Sequence, residues 1–444
     1  MPDFFDAAIV AKGLGGLICA LSLASKGAKV FLAAPQRFQE PNILFDGEDR
    51  GFFRPVFLSI GIWNDGEKRI VCPAIAYQVA LPGRRLDIST DPTELLQELR
   101  REYPEHKEEL AALLLRLNER GELLRAALLR QFFRERRIKS PGFLTYRKFR
   151  NERLSSLFAE FNGSHPYLPL FQAQTLWWTG AFSSDPFALA TAFHLGSLEG
   201  AFRMSDGVYH FLKEKLLERS GVISEGEPIR ELFFNGKTLS GLAIGDTRVD
   251  TPMIATDTSI DSLVPFLPFP LQKKTLRKSP TSKHRSWRHC FHFLIYEQGI
   301  PEGMEDEVLY VPEEGELRGK NLLRITVQRK APSPRKDKDM VLMHVSCLSM
   351  NEIEDISGEL ISALQKLMPF ANEKGVGIIP ADDPSEKDLL FYHTNPTVFT
   401  PKASSPRLPL KGFFHCGGTL FPSLGMEGEA LAGYYCAQVM SRKI

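Results

Sequence analysis

The run Asp6-Ala-Ala-Ile-Val-Ala-Lys-Gly-Leu-Gly-Gly-Leu17 decides the fold: an apolar segment, Ala7 to Val10, ends in a glycine-rich turn that opens a second apolar segment. A dinucleotide loop has the pattern G-x-G-x-x-G directly after a buried strand and at the start of a helix. Its glycines serve a tight turn, backbone approach to a pyrophosphate, and close helix packing. Gly13 and Gly16 fill the second and third tasks, and Ala11 stands at the first. Working outward, Gly16 to Ser25 reads as a helix that is apolar nearly all round, Gly27 as its stop, and Lys29 to Ala33 as the next strand. The βαβ opening is then complete. The same pattern asks for an acidic residue roughly 20 residues on, to hold the ribose hydroxyls. Ala34, between Ala33 and Pro35, occupies that position.

At 444 residues the chain is expected to form two domains or one interleaved α/β body. Its 55 Lys and Arg against 54 Asp and Glu give a net charge of +1, which argues against a nucleic acid partner. The cysteines, Cys19, Cys72, Cys290, Cys347, Cys416 and Cys436, form no CxxC pair and several lie in apolar runs. Buried free thiols and a reducing cytoplasm are the expectation. Asp3 and Asp6 precede the first apolar run, so the N-terminus reads as a core strand and not as a signal peptide. No apolar run of about 18 residues predicts a spanning helix. A cytoplasmic protein, soluble or peripheral to a membrane, is expected.

Phe45 to Leu81 mixes short apolar runs with Gly and Pro, predicting irregular structure and short strands. Asp91-Pro92 predicts an N-cap and first helical residue, with Leu95, Leu96 and Leu99 as the apolar stripe. Another helix is expected from about Glu105 to Phe133. Between Arg130 and Arg153 stand Arg130, Arg134, Arg136, Arg137, Lys139, Arg147, Lys148, Arg150 and Arg153, interleaved with Phe132, Phe133, Phe143, Tyr146 and Phe149. Residues 130–153 suit either peripheral contact with an anionic membrane or a solvated helix face with a loop at Ser140-Pro141-Gly142, the second being the commoner fate of such runs. The aromatic stretch Tyr167 to Leu198, with Phe171, Trp177, Trp178, Phe182, Phe187 and Phe193, is read as core or as the lining of a large apolar pocket.

Val208 to Arg219 reads as an amphipathic helix. Asn235-Gly236 and Gly245-Asp246 are hairpin turns in a meander that returns to a buried strand at Met253-Ile254-Ala255. Strands are predicted at Cys290 to Ile295, Leu322 to Val327 and Val341 to Cys347, then a helix from about Ile353 to Met368 with Leu360, Leu364 and Leu367 inward. His284, His289, Cys290 and His292 offer metal-ligand chemistry. In a strand, however, His289 points away from the face that Cys290 and His292 share, so no metal site is expected.

The C-terminal run Gly412-Phe-Phe-His-Cys-Gly-Gly-Thr-Leu-Phe-Pro-Ser-Leu-Gly-Met-Glu-Gly-Glu-Ala-Leu-Ala-Gly-Tyr-Tyr-Cys-Ala437 resembles the closing FAD motif of flavin-dependent amine oxidases, bacterial phytoene desaturases and carotenoid isomerases. The meander and the helix before it also sit where that superfamily has them. The resemblance implies an α/β fold, a Rossmann-like FAD/NAD(P)-binding fold interleaved with a mixed-sheet and helical substrate domain. The dinucleotide-binding domain would comprise 1–75, 200–262 and 405–444, and the substrate domain 76–199 and 263–404. It implies FAD as cofactor, with Lys12, Gly13, Leu14, Gly15 and Gly16 at the ADP half and Gly417 and Gly418 beside them. Gly425, Met426 and Glu427 would form the N-terminus of a helix pointed at the isoalloxazine ring.

Against that pattern Gly418 replaces an aspartate of the ribityl and pyrophosphate region, and the superfamily's Gly-Gly-Arg segment has no match in Pro35 to Phe45. Ala11 in a glycine turn costs about 1 kcal/mol if the turn resists a Cβ. Each lost charged acceptor costs about 1.5 to 3 kcal/mol. Together these departures are expected to weaken FAD binding by roughly three or more powers of ten. The resemblance implies hydride transfer from a small apolar substrate, polyene-like or amine-like, to flavin, with Trp177, Trp178 and Phe182 flanking the substrate and no catalytic acid or base standing out. The alternative is a non-catalytic protein that keeps the fold to bind a lipid-like ligand or a protein partner.

Overall fold

The structure, a computed structural model, describes residues 3–34, 44, 51–133, 147–159, 161, 165–179, 185–236, 238–258, 263–278, 285–315, 317, 321–329, 340–349, 356–373, 378–380, 386–391, 405–421 and 424–443. In chain order β1 (Asp3–Phe4) and β2 (Ala7–Val10) lead into α1 (Leu14–Ala24) and β3 (Val30–Ala34). Helices α2 (Phe53–Ser59) and α3 (Trp63–Glu67) occupy a stretch read from sequence as irregular, because Phe53, Val56 and Phe57 together supply a buried face. Next come β4 (Ile70–Val71), β5 (Ile75–Leu81) and β6 (Arg84–Ser89). A helical layer follows, of α4 (Pro92–Glu102), α5 (Lys107–Phe133), α6 (Leu154–Phe158), α7 (Leu168–Thr179) and α8 (Ala188–Ser197). The start of α4 is set by Asp91, whose carboxylate accepts the amides of Thr93 (2.6 Å) and Glu94 (3.3 Å).

The chain then returns through β7 (Arg203–Met204), α9 (Val208–Glu218) and β8 (Val222–Glu225). The meander follows as β9 (Ile229–Asn235), β10 (Thr238–Ile244) and β11 (Thr247–Asp250), ending in β12 (Ile254–Thr256). Beyond α10 (Phe269–Lys278) lie β13 (Arg285–Tyr296), β14 (Glu307–Tyr310), β15 (Leu323–Gln328) and β16 (Met340–Ser349), then α11 (Ser357–Leu367), α12 (Phe370–Glu373), β17 (Ile379–Pro380) and β18 (Glu386–Phe391). The last elements are β19 (Phe413–His415) and α13 (Gly425–Met440).

Three larger sheets and the two-stranded β4-β7 pair organise the described strands. A parallel sheet has the order β19-β12-β2-β3-β8, with Thr256 of β12 in register with Val10 of β2. Parallel strands buried on both faces read as continuous apolar runs, which is why Ala7–Val10 and Val30–Ala34 show no alternation. The meander packs beside it in the order β1-β11-β10-β9. A mixed sheet runs β17-β13-β16-β15-β14-β5-β6, with β18 also paired to β13. One face of the mixed sheet, with Phe293, Ile325, Met343 and Val345, packs on Leu360 and Leu364 of α11. The other carries Tyr77, Val79, Leu309 and Leu348 against the helical layer.

The two halves of the dinucleotide-type body are locked by glycine. A Cβ at Gly433 of α13 would overlap the carbonyl oxygen of Gly15 in α1, and a Cβ at Gly15 would overlap the carbonyl oxygen of Cys416. Such approaches are open only to residues without a side chain. Of the cysteines, Cys72 is exposed and the other five are buried free thiols, as their apolar settings predict.

Candidate functional site

The loop Lys12 to Gly16 leaves the C-terminal end of β2 and opens α1, the place where parallel α/β sheets bind ligands. Gly13 is the N-cap residue and Leu14 is fully buried. A Cβ at Gly16 would strike the methyl of Ala11. Among the described residues the only non-glycine with positive φ is Ser220, so Ala11 carries no left-handed strain. The cost of about 1 kcal/mol expected for alanine in a glycine turn therefore does not arise.

The loop's free amides are already occupied from within the chain. The carboxylate of Asp257 accepts from the backbone N–H of Lys12 (2.6 Å), Gly13 (3.0 Å) and Gly16 (2.8 Å). Asp257 directly follows β12, and the parallel pairing of β12 with β2 carries it to the mouth of the loop. Such donors at a helix N-terminus form an anion site, and here the anion is a side chain. Enclosure pushes the Asp257 carboxyl up to about 6, against the pull of the three amides. A second acid stands beside it. A Cβ at Gly13 would lie 3.3 Å from Glu429 Oε2, and one at Gly418 would lie 3.0 Å from Glu429 Cγ, so the Glu429 side chain lies between the two glycines.

The C-terminal segment is similarly committed to the fold. A Cβ at Gly417 would sit 2.8 Å from the carbonyl oxygen of Asp257, and Gly418 opens a tight 3-10 turn to Leu420. His415 is buried, contacts the Thr419 hydroxyl through Nε2, and is held down to about 4 by burial. At the start of α13, Gly425 takes a left-handed φ of 55°, and a Cβ there would lie 3.1 Å from the Trp178 carbonyl oxygen. Met426 packs against two apolar cores. Glu427, 3% exposed, turns a carboxylate oxygen to the backbone N–H of Phe52 at 3.1 Å. The helix expected to face a flavin ring thus spends its first acid on tethering Phe52.

The donor set can be set against what FAD requires of such a loop. Its pyrophosphate needs the loop amides and a site without negative charge, whereas those amides hold Asp257 and Glu429 adds a second carboxylate. Ala34 ends β3 as a buried methyl and brings no ribose acceptor. The residues present do not fit the ADP half of FAD in the arrangement seen. The segment expected to lack the Gly-Gly-Arg match lies, apart from Leu44, outside the described residues.

A different polar group sits between the mixed sheet and the helical layer. The Tyr77 hydroxyl donates to Gln174 Oε1 (2.6 Å) and contacts His194 Nε2 (3.0 Å), and Trp178 stacks on His194 with ring centroids 5.2 Å apart. Burial, reinforced by the Arg125 charge, lowers His194 to about 3, and burial raises the Tyr77 phenol well above its usual range. Arg324 lies over the Trp178 ring (5.3 Å) and pairs with the buried Glu307 at 2.6 Å. Trp177, expected beside a substrate, is core, and Phe182 lies outside the described residues.

Of the candidate metal ligands, Cys290 and His292 share a face of β13, His289 is buried on the other, and His284 lies outside the described residues. A third donor on the shared face, His344 of β16, escaped the sequence reading because it is distant in the chain. In the basic stretch, Phe132 and Phe133 pack on Phe421, Tyr435 and Tyr434. Arg153 covers the Phe187 ring, and residues 134–146 lie outside the described residues. No helix among the described residues is long and apolar enough to cross a membrane.

This architecture, a parallel dinucleotide-type sheet joined to a mixed sheet and a helical layer, is an α/β, Rossmann-like fold. Comparison with solved structures gives the same fold. An oxidoreductase from Methanosarcina mazei aligns over 98% of this chain and 99% of its own at 14% identity and a TM-score of 0.55. A protein from Pyrococcus furiosus aligns over 98% and 97% at 13% identity and a TM-score of 0.56. A putrescine oxidase variant redesigned in cofactor binding aligns over the full length of both chains at 13% identity and a TM-score of 0.54. No protein-family model and no curated protein sequence matches the chain. At these identities the likeness is one of fold.

Proposed function

We propose that this protein uses the FAD-oxidoreductase fold without flavin chemistry, as a binding module for a lipid-like ligand or a protein partner. The observation that carries this reading is the Asp257 carboxylate on the amides of Lys12, Gly13 and Gly16. A loop that caps itself needs no dinucleotide to satisfy its donors, and it repels one by charge.

A second reading, hydride transfer from an apolar polyene-like or amine-like substrate to flavin, is supported by the fold that the chain shares with solved oxidoreductases. It requires Asp257 to leave the loop. Absorbance of the purified protein and titration with FAD separate the two. The expected result is a colourless protein that shows no saturable FAD binding up to hundreds of micromolar. A yellow protein carrying stoichiometric FAD would overturn the binding-module reading.

A further inference from the structure

The mixed sheet carries a donor set that neither reading uses. On its helix-facing side, His292 of β13 lies directly across from His344 of β16, and Cys290, two residues along β13, projects from the same face. The imidazoles meet at 2.7 Å between Nδ1 atoms with their planes at 87°, and the Cys290 Sγ and the two histidine nitrogens all lie within 4.8 Å of one another. Cys290 is 4% exposed and both histidines are half-buried.

We propose that Cys290, His292 and His344 form a zinc site with one thiolate, two imidazoles and an open fourth position. Tetrahedral zinc holds imidazole nitrogens at about 2.0 to 2.1 Å and thiolate sulfur at about 2.3 Å, which sets the nitrogens about 3.3 Å apart. Small side-chain rotations convert the 2.7 Å contact to that spacing. Because the strands are paired in register, the backbone already fixes all three Cα positions, so little ordering remains to be done on binding.

The donor chemistry selects the metal class. Two neutral imidazoles and one thiolate suit zinc among abundant divalent ions, whereas magnesium and calcium take oxygen ligands. Binding is balanced by loss of the Cys290 thiol proton, so affinity rises with pH. The surrounding charge is compatible. Arg324, on the next strand, is already paired with Glu307. Three protein ligands leave the fourth position to water or to an oxygen of a ligand, as in zinc sites that act on substrates.

The site is independent of flavin, so its failure and the failure of the binding-module reading are separable. The test is titration of the untagged, chelator-treated full chain with cobalt(II), followed by displacement with zinc. One equivalent is expected to give a thiolate-to-cobalt charge-transfer band with intense tetrahedral visible bands, and zinc should abolish both. Cys290→Ser should remove the charge-transfer band. His344→Ala should weaken binding by more than the roughly 10- to 100-fold lost with an outer-shell partner. Cys72→Ser, on the exposed thiol, and Cys347→Ser, on the opposite face of the sheet, should retain the band. Absence of the band at one equivalent, or its survival in a folded Cys290→Ser protein, would each overturn the proposal. In either case His292 and His344 are only a cross-strand hydrogen bond.

Discussion

Replacing Asp257 with alanine tests the central electrostatic argument. The variant vacates the amides of Lys12, Gly13 and Gly16, which the carboxylate holds at 2.6 to 3.0 Å. A phosphate approaching the wild-type loop cannot share those donors and stops about one atomic layer out. At about 4 Å, and with an effective dielectric constant near 20, two unit charges repel by about 4 kcal/mol. That repulsion corresponds to roughly a thousandfold in affinity. Asp257→Ala is therefore expected to strengthen ADP or pyrophosphate binding by up to about 1,000-fold near pH 8. The gain should shrink towards a small factor near about pH 5, because Asp257, pushed up to about 6, then loses its charge in the wild type as well. Asp257→Asn, neutral at every pH and similar in volume, should bind with an affinity that does not vary across that range. Isothermal titration with ADP at both pH values reads the effect, with circular dichroism confirming that each variant is folded. Equal affinity of wild type and alanine variant near pH 8, or a gain that persists undiminished on acidification, would show that the Asp257 charge does not hold phosphate off the loop.

Three further outcomes follow from buried groups. His194 and His415 are held down to about 3 and about 4, so each contributes stability that is present above the unfolded value of 6.5 and is lost as pH falls through its folded value. The loss reaches at most about 5 and about 3 kcal/mol respectively. Asp257 runs the other way, with stability present below 3.8 and lost as pH rises through about 6. Denaturant midpoints should thus fall on acidification below about pH 6, and less steeply in His194→Gln. Tyr77→Phe removes a hydroxyl held by Gln174 and His194, and equilibrium unfolding should show a loss of about 1 to 3 kcal/mol. Gly433→Ala drives a methyl into the Gly15 carbonyl, and a thermal melt should show a loss of at least about 1 to 3 kcal/mol, or no folded protein.

Much of the architecture was legible because it rests on local signals. The apolar run Ala7–Val10, the stop at Gly27, the Asp91-Pro92 cap and the turns at Gly236 and Gly245 each state their structure within a few residues, and the elements stand where they predict. The helices at Phe53–Ser59 and Trp63–Glu67 were not, since each is too short to show a period and is stabilised by what it packs on. Asp257 was missed although a signal existed. An acidic residue just past a parallel strand adjacent to β2 is carried to the strands' C-terminal edge, where the loop lies. Glu429 and His344 had no such signal, because helix rotation in the first case and long-range strand register in the second decide what they meet.

The loop glycines and the Asp257 cap have separate physical causes. Gly15, Gly16 and Gly433 are required by packing alone, since a Cβ at each would overlap Cys416, Ala11 or Gly15 whether or not a nucleotide is bound. Substituting them would break the fold, so their presence says nothing about flavin. Ala34 and Gly418 stand where the resembling flavin motif would carry carboxylates. On the binding-module reading, the donors at the start of α1 need an acceptor other than a nucleotide, and a charged acceptor from the chain meets them at about 1.5 to 3 kcal/mol per hydrogen bond. Asp257, directly after β12, the strand paired in parallel with β2, is that acceptor.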